Sequence, residues 1–162
     1  MMASMRDGEG DDWFLLFCEA GAILKGFAHE SPMGGPEETW EGVLSDVPAV
    51  FGSFLNQPAF ALEDTSFCIW RTPGDDQWRK GNISYPSGAD PDGSADLLSI
   101  LDNNPTTYQQ WAEEYYEAEV SLTAVEHIYR HDPLTAEIVA HLNADLTIHD
   151  LTNDISAIGY LS

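Results

Sequence analysis

The spacing of apolar residues changes near Asp92, and this change constrains the fold more than any other feature of the chain. Before it, short runs such as residues 13–18, 22–27 and 65–71 are rich in aromatic and β-branched residues, as strands are. After it, apolar residues recur every three to four positions, as on one face of a helix. Strands followed by helices favour an α+β fold over a βαβ arrangement. We predict a short antiparallel sheet from the N-terminal half packed against a helical C-terminal half.

Two β-hairpins are predicted in the first half of the chain. Residues 13–18 and 22–27 are joined by a short connection that contains glycine, and residues 65–71 and 77–84 flank a turn at Pro73. Glycine and proline supply the backbone conformations that tight turns need. Each pair of runs is therefore predicted to form two adjacent antiparallel strands.

Capping residues mark the predicted boundaries of the helices. A short polar side chain at a helix start accepts hydrogen bonds from free amides of the first turn, and glycine favours the left-handed conformation that ends a helix. The predicted starts are at Asp46, Asp92 or Ser94, Asn104 with Pro105, Thr123 with Glu126, Asp132 with Pro133, and Thr147 with Asp150. The predicted ends include Pro58, Asn143 and Gly159.

The composition indicates one folded domain. Of the 162 residues, 43% are hydrophobic, which is enough to build a core despite the acidity of the chain. Residues 1–11 are mostly polar, and we expect a flexible leader there, followed by a single α+β domain over residues 12–162. Cys18 and Cys68 lie in apolar runs, a setting typical of buried free thiols in a reducing compartment. No targeting segment is visible in the sequence, so we expect a cytoplasmic protein.

The chain is strongly acidic, and this limits the partners that it can bind. It has 28 Asp and Glu residues against 6 Lys and Arg residues, which is a formal net charge of -22. Residues 81–129 contain nine carboxylates and neither Lys nor Arg. Binding to nucleic acids or to anionic membranes requires a cationic surface, so we expect neither as a partner. A basic protein partner is favoured, because an anionic surface attracts it and speeds its association.

The helix predicted to start at Asn104 has two contrasting faces. Its aromatic stripe is predicted to pack in the core. The carboxylates on the opposite face repel one another and have no Lys four residues away to relieve them, so this face is either solvated or a docking surface for basic side chains. Tyr116 on its flank is the kind of residue that anchors interfaces. The stripe comprises Tyr108, Trp111, Ala112 and Tyr115, and the predicted partner-binding residues are Glu113, Glu114, Tyr116 and Glu117.

Two motifs are weak candidates for metal binding. His127 and His131 are four residues apart, a spacing that can place two imidazoles on one helix face. However, the H-E-x-x-H glutamate is missing and Pro133 follows closely, so capping or surface histidines are the alternative. Residues 90–96 place oxygen side chains as a calcium loop does, but glycine is at the fourth place instead of the sixth, and Leu101 stands where the bidentate Glu would be. A turn and a helix cap are favoured there, and we predict no cofactor.

Catalytic signatures are weak as well. Glu63 and Asp64 could form a carboxylate pair for acid–base chemistry, with His29 as a third member. The sequence has no G-x-S-x-G motif and no family signature around either cysteine. We therefore predict a non-enzymatic acidic binding protein that neutralises or occludes a basic protein partner. The alternative is a metal-dependent or carboxylate-based hydrolase of unknown substrate.

Four segments carry a resemblance to known proteins. Taken together, GAILKGFAHESPM, PAFALEDTSFCIWR, PDGSADLLSIL and WAEEYYEAEV make the chain resemble a family of small, acidic, uncharacterised bacterial proteins over nearly its whole length. That resemblance implies a single-domain organisation and no catalytic residues. In size and charge, though not in motif, the chain also looks like immunity proteins, which neutralise basic toxin domains.

Overall fold

Five strands form one antiparallel sheet, in which the order of the strands in space is their order along the chain. A computed structural model describes residues 1–35 and 38–160. The strands are β1 Met2–Arg6, β2 Asp12–Cys18, β3 Gly21–Phe27, β4 Phe67–Arg71 and β5 Arg79–Lys80. The sheet lies in the N-terminal half and the longer helices lie in the C-terminal half, which confirms the predicted α+β class. Both predicted hairpins are present, the second with a shorter strand than expected.

Strand β3 is the central strand, and its neighbours explain its composition. Every residue from Ala22 to Gly26 is buried, because side chains alternate between two faces of the sheet and both faces are covered. One face contributes Ile23 to a core cluster with Phe14 and Trp70. The other contributes Leu24 to a cluster with Trp13 and Phe67. A strand that is covered on both faces has a nearly continuous apolar sequence, as GAILKGF has.

The segment between β3 and β4 covers the first of these faces. It contains the 3-10 turn Ala49–Phe51, helix α1 Gly52–Leu55 and the 3-10 turn Pro58–Phe60. Buried Phe51, Phe54, Leu55 and Phe60 belong to the same cluster as Ile23. The predicted cap at Asp46 is wrong. The first turn follows Pro48 directly, whereas Asp46 lies before it in a left-handed conformation with φ 62°.

Strand β1 is an edge strand inside the segment that we predicted to be a flexible leader. Met2–Arg6 pairs with β2 in the register Met5↔Trp13, and the guanidinium of Arg6 donates a hydrogen bond to the main-chain oxygen of Ala59, at 3.0 Å. Four of its five residues are exposed. An edge strand with exposed side chains carries little apolar patterning, so its sequence resembles a polar leader.

By its internal contacts the chain divides into two compact units, Met1–Ser99 and Ile100–Ser162. The single domain over residues 12–162 stays a prediction. The first unit ends with helix α2 Ser94–Leu97, and the second contains α3 Pro105–Tyr116, α4 Leu122–Tyr129, α5 Ala136–Leu142 and α6 Thr152–Ile158. In the second unit α3 packs against α4, and α4 packs against α5. Its buried apolar residues are Ala112, Ala124, Val125, Val139 and Ile155.

Three predicted helix boundaries, in α3, α5 and α6, are confirmed. Asn104 caps α3 by accepting from the amide of Thr106, and Gly159 ends α6 in the left-handed conformation, as predicted. Asn143 is the C-cap of α5. The starts of α4 and α5 lie a few residues from the predicted ones, because several polar residues stand near each start and only one has the extended backbone of an N-cap.

Three starts are corrected. Ser121, rather than Thr123, caps α4, and Thr135, rather than Asp132, caps α5. The Thr147–Asp150 pair closes a turn ahead of α6, which begins at Thr152.

None of the helices in residues 1–35 and 38–160 is both long and apolar enough to cross a bilayer.

Candidate functional site

The last two turns of α3 carry a cluster of three aromatic rings. Trp111 and Tyr115 stack with their centroids 5.1 Å apart and an interplanar angle of 17°. Tyr116 meets Tyr115 edge to face, with 5.0 Å between centroids and an angle of 88°, and its ring also lies 6.4 Å from that of Trp111. These separations are typical of favourable aromatic pairs. We call Trp111, Tyr115 and Tyr116 the aromatic cluster.

Much of the aromatic cluster faces solvent. Tyr115 is 51% exposed and Tyr116 is 61% exposed. Ala112 is buried, while Tyr108 and Trp111 are half-buried. The prediction that the whole stripe packs in the core is therefore wrong for Tyr115. Helical periodicity shows which residues share a face, but it does not show how far a neighbouring element covers that face.

Carboxylates are sequence neighbours of the exposed rings of the aromatic cluster: Glu114 precedes Tyr115, and Glu117 follows Tyr116. Glu114 and Glu117 are exposed, and Glu113 is half-buried. Glu117 follows the last residue of α3 and has φ 50°, the left-handed conformation that ends many helices. One oxygen of Glu113 accepts a hydrogen bond from the amide of Val120, at 3.1 Å. Glu113 thus orders the turn after α3, a structural role that its position on the polar face did not reveal.

The turn after α3 borders a cleft of about 700 Å³. Its titratable lining residues are Glu113, Glu117, Glu119 and His141, and we call this feature the acidic cleft. From Ile100 to its end the sequence has eleven Asp and Glu residues and a single Arg, Arg130. The guanidinium of Arg130 lies 2.8 Å from Asp132 and 3.9 Å from Glu126. These two carboxylates pair with the one Arg, so the second unit has no further Lys or Arg to pair with the carboxylates of the acidic cleft.

The predicted histidine pair is not arranged as two metal ligands on a helix face. Nε2 of His127 lies 2.8 Å from the main-chain oxygen of Pro133, to which it donates a hydrogen bond. His131 lies beyond the end of α4 with φ 54°, so its ring does not continue the helical spacing. In the described part of the chain, no three His, Cys, Asp or Glu side chains are grouped as a metal site would require.

Residues 90–96 form a turn that leads into α2, as favoured over a calcium loop. The N-cap of α2 is Gly93, with φ 73°, rather than the predicted Asp92 or Ser94. The carboxylate of Asp92 accepts from the amide and hydroxyl of Ser94. The carboxylate of Asp90 accepts from the amides of Ala95 and Asp96. Oxygens engaged with local amides in this way order the start of α2.

His29 is paired with Asp11 rather than with Glu63 and Asp64, the two carboxylates considered with it in the sequence. Its Nδ1 lies 2.7 Å from Oδ1 of Asp11, and this hydrogen bond raises the pKa of His29. Glu63 and Asp64 are both exposed. Asp64 accepts a hydrogen bond from Lys25 through its main-chain oxygen rather than through its carboxylate.

Strand β3 contains a buried polar residue, Lys25, that the sequence pattern did not predict. Lys25 is 0% exposed and lies between Phe14 on β2 and Cys68 on β4. Its ammonium donates a hydrogen bond to the main-chain oxygen of Asp64. Burial lowers the pKa of Lys25, against the attraction of Asp12 and Asp64. The sequence feature that could have indicated its burial is the presence of a single Lys in the apolar run GAILKGF.

Asp12 and the two cysteines complete the set of titratable groups in this unit. Oδ1 of Asp12 is buried and has no hydrogen-bond partner among the described residues, and burial raises the pKa of the Asp12 carboxyl. Burial also raises the pKa of the Cys68 thiol to about 12. Such a thiol is protonated at neutral pH and is a poor nucleophile. Cys18 is exposed, in contrast to its predicted burial, because it ends β2 beside the turn.

Comparison with family models, with curated proteins and with solved structures finds no match for this chain. The resemblance to small acidic bacterial proteins and the likeness to immunity proteins stay predictions.

Proposed function

We propose that this protein is a non-enzymatic binding protein that occludes a basic protein partner. The observation that supports the proposal is the exposed aromatic cluster at the end of α3, placed beside Glu114 and Glu117. Exposed tyrosines next to uncompensated carboxylates combine the two properties that a surface for a cationic protein needs.

The two properties act at different stages of binding. The net charge of -22 attracts a cationic protein over a distance and raises the rate of encounter. Tyrosine and tryptophan offer a large contact area with few rotatable bonds, so they slow dissociation once the partner has docked. Glu113, Glu114, Tyr116 and Glu117 are therefore our proposed partner-binding residues, and Trp111 and Tyr115 extend this surface.

The partner that best fits this surface is a basic toxin domain. A small acidic protein that covers a cationic substrate-binding surface would neutralise such a toxin without any chemistry of its own. This finer assignment rests on the size and charge of the chain. Expression beside a cognate basic toxin in the same cell, with protection of growth as the readout, tests it directly.

The general proposal can be tested with a purified basic peptide of mixed Lys and Arg. The variant Glu113→Gln/Glu114→Gln/Glu117→Gln removes three charges, while each Gln keeps an oxygen that can accept a hydrogen bond, including that from Val120. The matched control is Glu9→Gln/Glu19→Gln/Glu63→Gln, which changes the net charge equally at exposed positions of the other unit. Affinity is measured by calorimetry at several salt concentrations.

We expect the α3 variant to bind about tenfold more weakly, since three surface ion pairs at about 0.5 kcal/mol each amount to one decade of affinity. The control should lose much less, because it leaves intact the α3 surface, which we define as the aromatic cluster together with Glu113, Glu114 and Glu117. Equal losses in the two triple variants would reduce the effect to overall charge and contradict a localised site. Binding that is unaffected by salt would contradict the electrostatic attraction itself.

A further inference from the structure

We infer that the α3 surface selects arginine over lysine side chains, so that its partner presents an arginine-rich segment. This inference rests on the proposed function and specifies its ligand. It follows from the geometry of the aromatic cluster together with the carboxylates beside it, because the two basic side chains differ in how they contact rings and carboxylates.

The rings offer flat surfaces to a planar cation. Tyr116 is 61% exposed, and its plane stands at 88° to that of Tyr115. Trp111 stacks on Tyr115 at 17° and so helps to hold that ring in place. A guanidinium group can lie flat on a tyrosine face, whereas a compact ammonium stays strongly hydrated and contacts the ring only as a point charge.

The adjacent carboxylates favour the same choice. Glu117 directly follows Tyr116 and lines the acidic cleft with Glu113 and Glu119. A guanidinium presents a fork of N–H donors that matches a carboxylate with two parallel hydrogen bonds. An arginine on the aromatic cluster can therefore be followed by another whose guanidinium binds in the acidic cleft.

A second copy of the chain is a poor occupant for this surface. Each copy carries a net charge of -22, so two acidic α3 surfaces would repel each other. The single Arg of the second unit is already paired with Asp132 and Glu126. Charge complementarity instead favours a basic segment of another protein.

The test compares oligoarginine and oligolysine peptides of equal length and charge, bound to the full chain. The stacking surface is removed in Tyr115→Leu/Tyr116→Leu. The matched control is Phe17→Leu/Trp78→Leu, which removes two exposed aromatic rings from the other unit. Affinities are measured by calorimetry, and sedimentation velocity reports the oligomeric state of each protein.

We expect the wild-type chain and the control to bind oligoarginine about fivefold more tightly than oligolysine, the factor that an exposed cation–π contact contributes. In Tyr115→Leu/Tyr116→Leu this preference should disappear. Equal affinity of the wild-type chain for both peptides would overturn the arginine inference and leave the proposed function standing. Failure to bind either peptide, even at low salt, would overturn the proposed function as well.

Two further outcomes would also overturn the inference. If the preference for arginine persisted in Tyr115→Leu/Tyr116→Leu, the exposed tyrosines of the aromatic cluster would not be its source. If the wild-type chain were a dimer that this variant abolished, the occupant of the α3 surface would be a second copy.

Discussion

Lys25 donates a hydrogen bond from its ammonium group to the main-chain carbonyl oxygen of Asp64, inside the unit that holds the sheet. The two residues are 39 positions apart, so this bond joins the central strand to the loop that leads into β4. Lys25 is completely buried, and removing an ammonium from water costs free energy that one hydrogen bond only partly offsets. The lowered pKa of Lys25 records that cost.

Two variants of Lys25 distinguish the contribution of its side-chain volume to stability from the contribution of its charge. Lys25→Met fills a similar space without the ammonium, and we expect its free energy of unfolding to stay within about 1.5 kcal/mol of wild type. Lys25→Ala leaves a cavity between Phe14 and Cys68 and should lose about 2–5 kcal/mol. Urea denaturation monitored by tryptophan fluorescence gives both values. Equal losses would show that the hydrogen bond to Asp64, rather than the filled volume, provides the stability.

Asp12 gives the stability of the protein a pH dependence with a defined sign. Its pKa is raised in the folded state, chiefly by burial, so the folded chain binds a proton more readily than the unfolded chain. The neutral Asp12 carboxyl contributes its full stability below the unfolded pKa of about 3.9. This contribution is lost as the pH rises through the folded pKa, because the buried carboxyl then becomes charged. We therefore expect Asp12→Asn to be more stable than wild type at pH 7.

The advantage of Asp12→Asn should shrink as the pH is lowered towards the unfolded pKa, where the wild-type carboxyl is also neutral. Thermal unfolding across a series of acidic buffers measures this difference. Asp76→Asn is the matched control, because Asp76 is exposed and its neutralisation should not reproduce the trend. A constant difference between Asp12→Asn and wild type at every pH would contradict a raised pKa.

Trp111 and Tyr116 belong to the same aromatic cluster but differ in burial. Trp111 is half-buried and its ring contacts Tyr108 and Tyr115. We expect Trp111→Ala to lose about 2 kcal/mol, less than the roughly 3–5 kcal/mol of a fully buried aromatic. Tyr116→Ala should lose less than about 0.5 kcal/mol, as an exposed residue does. Comparable losses in urea denaturation would mean that Tyr116 is part of the core and would weaken the docking proposal.

Addition of zinc tests whether His127 and His131 form a metal site. His127 is hydrogen-bonded to Pro133 and His131 lies past the end of α4, so we expect zinc not to raise the melting temperature. A metal that binds only the folded state would stabilise it by about 2.7 kcal/mol at a hundredfold excess over its dissociation constant. A rise in melting temperature that disappears in His127→Ala/His131→Ala would contradict this expectation and support the metal-dependent alternative.

The cores of the strands and the helix ends at Asn104 and Gly159 were predictable because their signals are local. Alternation of apolar residues, a proline turn and a capping side chain each act within a few residues of the position that they specify. Strand β1 was not predictable, because it is exposed and owes its conformation to hydrogen bonds with β2. Ser121 caps α4 although Thr123 has the acid three residues later that a capping box requires, so the local signal favoured the wrong residue.

The α+β class, the acidity of the chain and the amphipathic character of α3 follow from composition and periodicity, so they can be predicted without coordinates. The exposure of Tyr115, the burial of Ala112 and the hydrogen bonds from Val120 to Glu113 and from Lys25 to Asp64 arise from tertiary contacts. Periodicity defines the two faces of an element, but burial and long-range hydrogen bonds depend on which residues, distant in sequence, are brought against those faces.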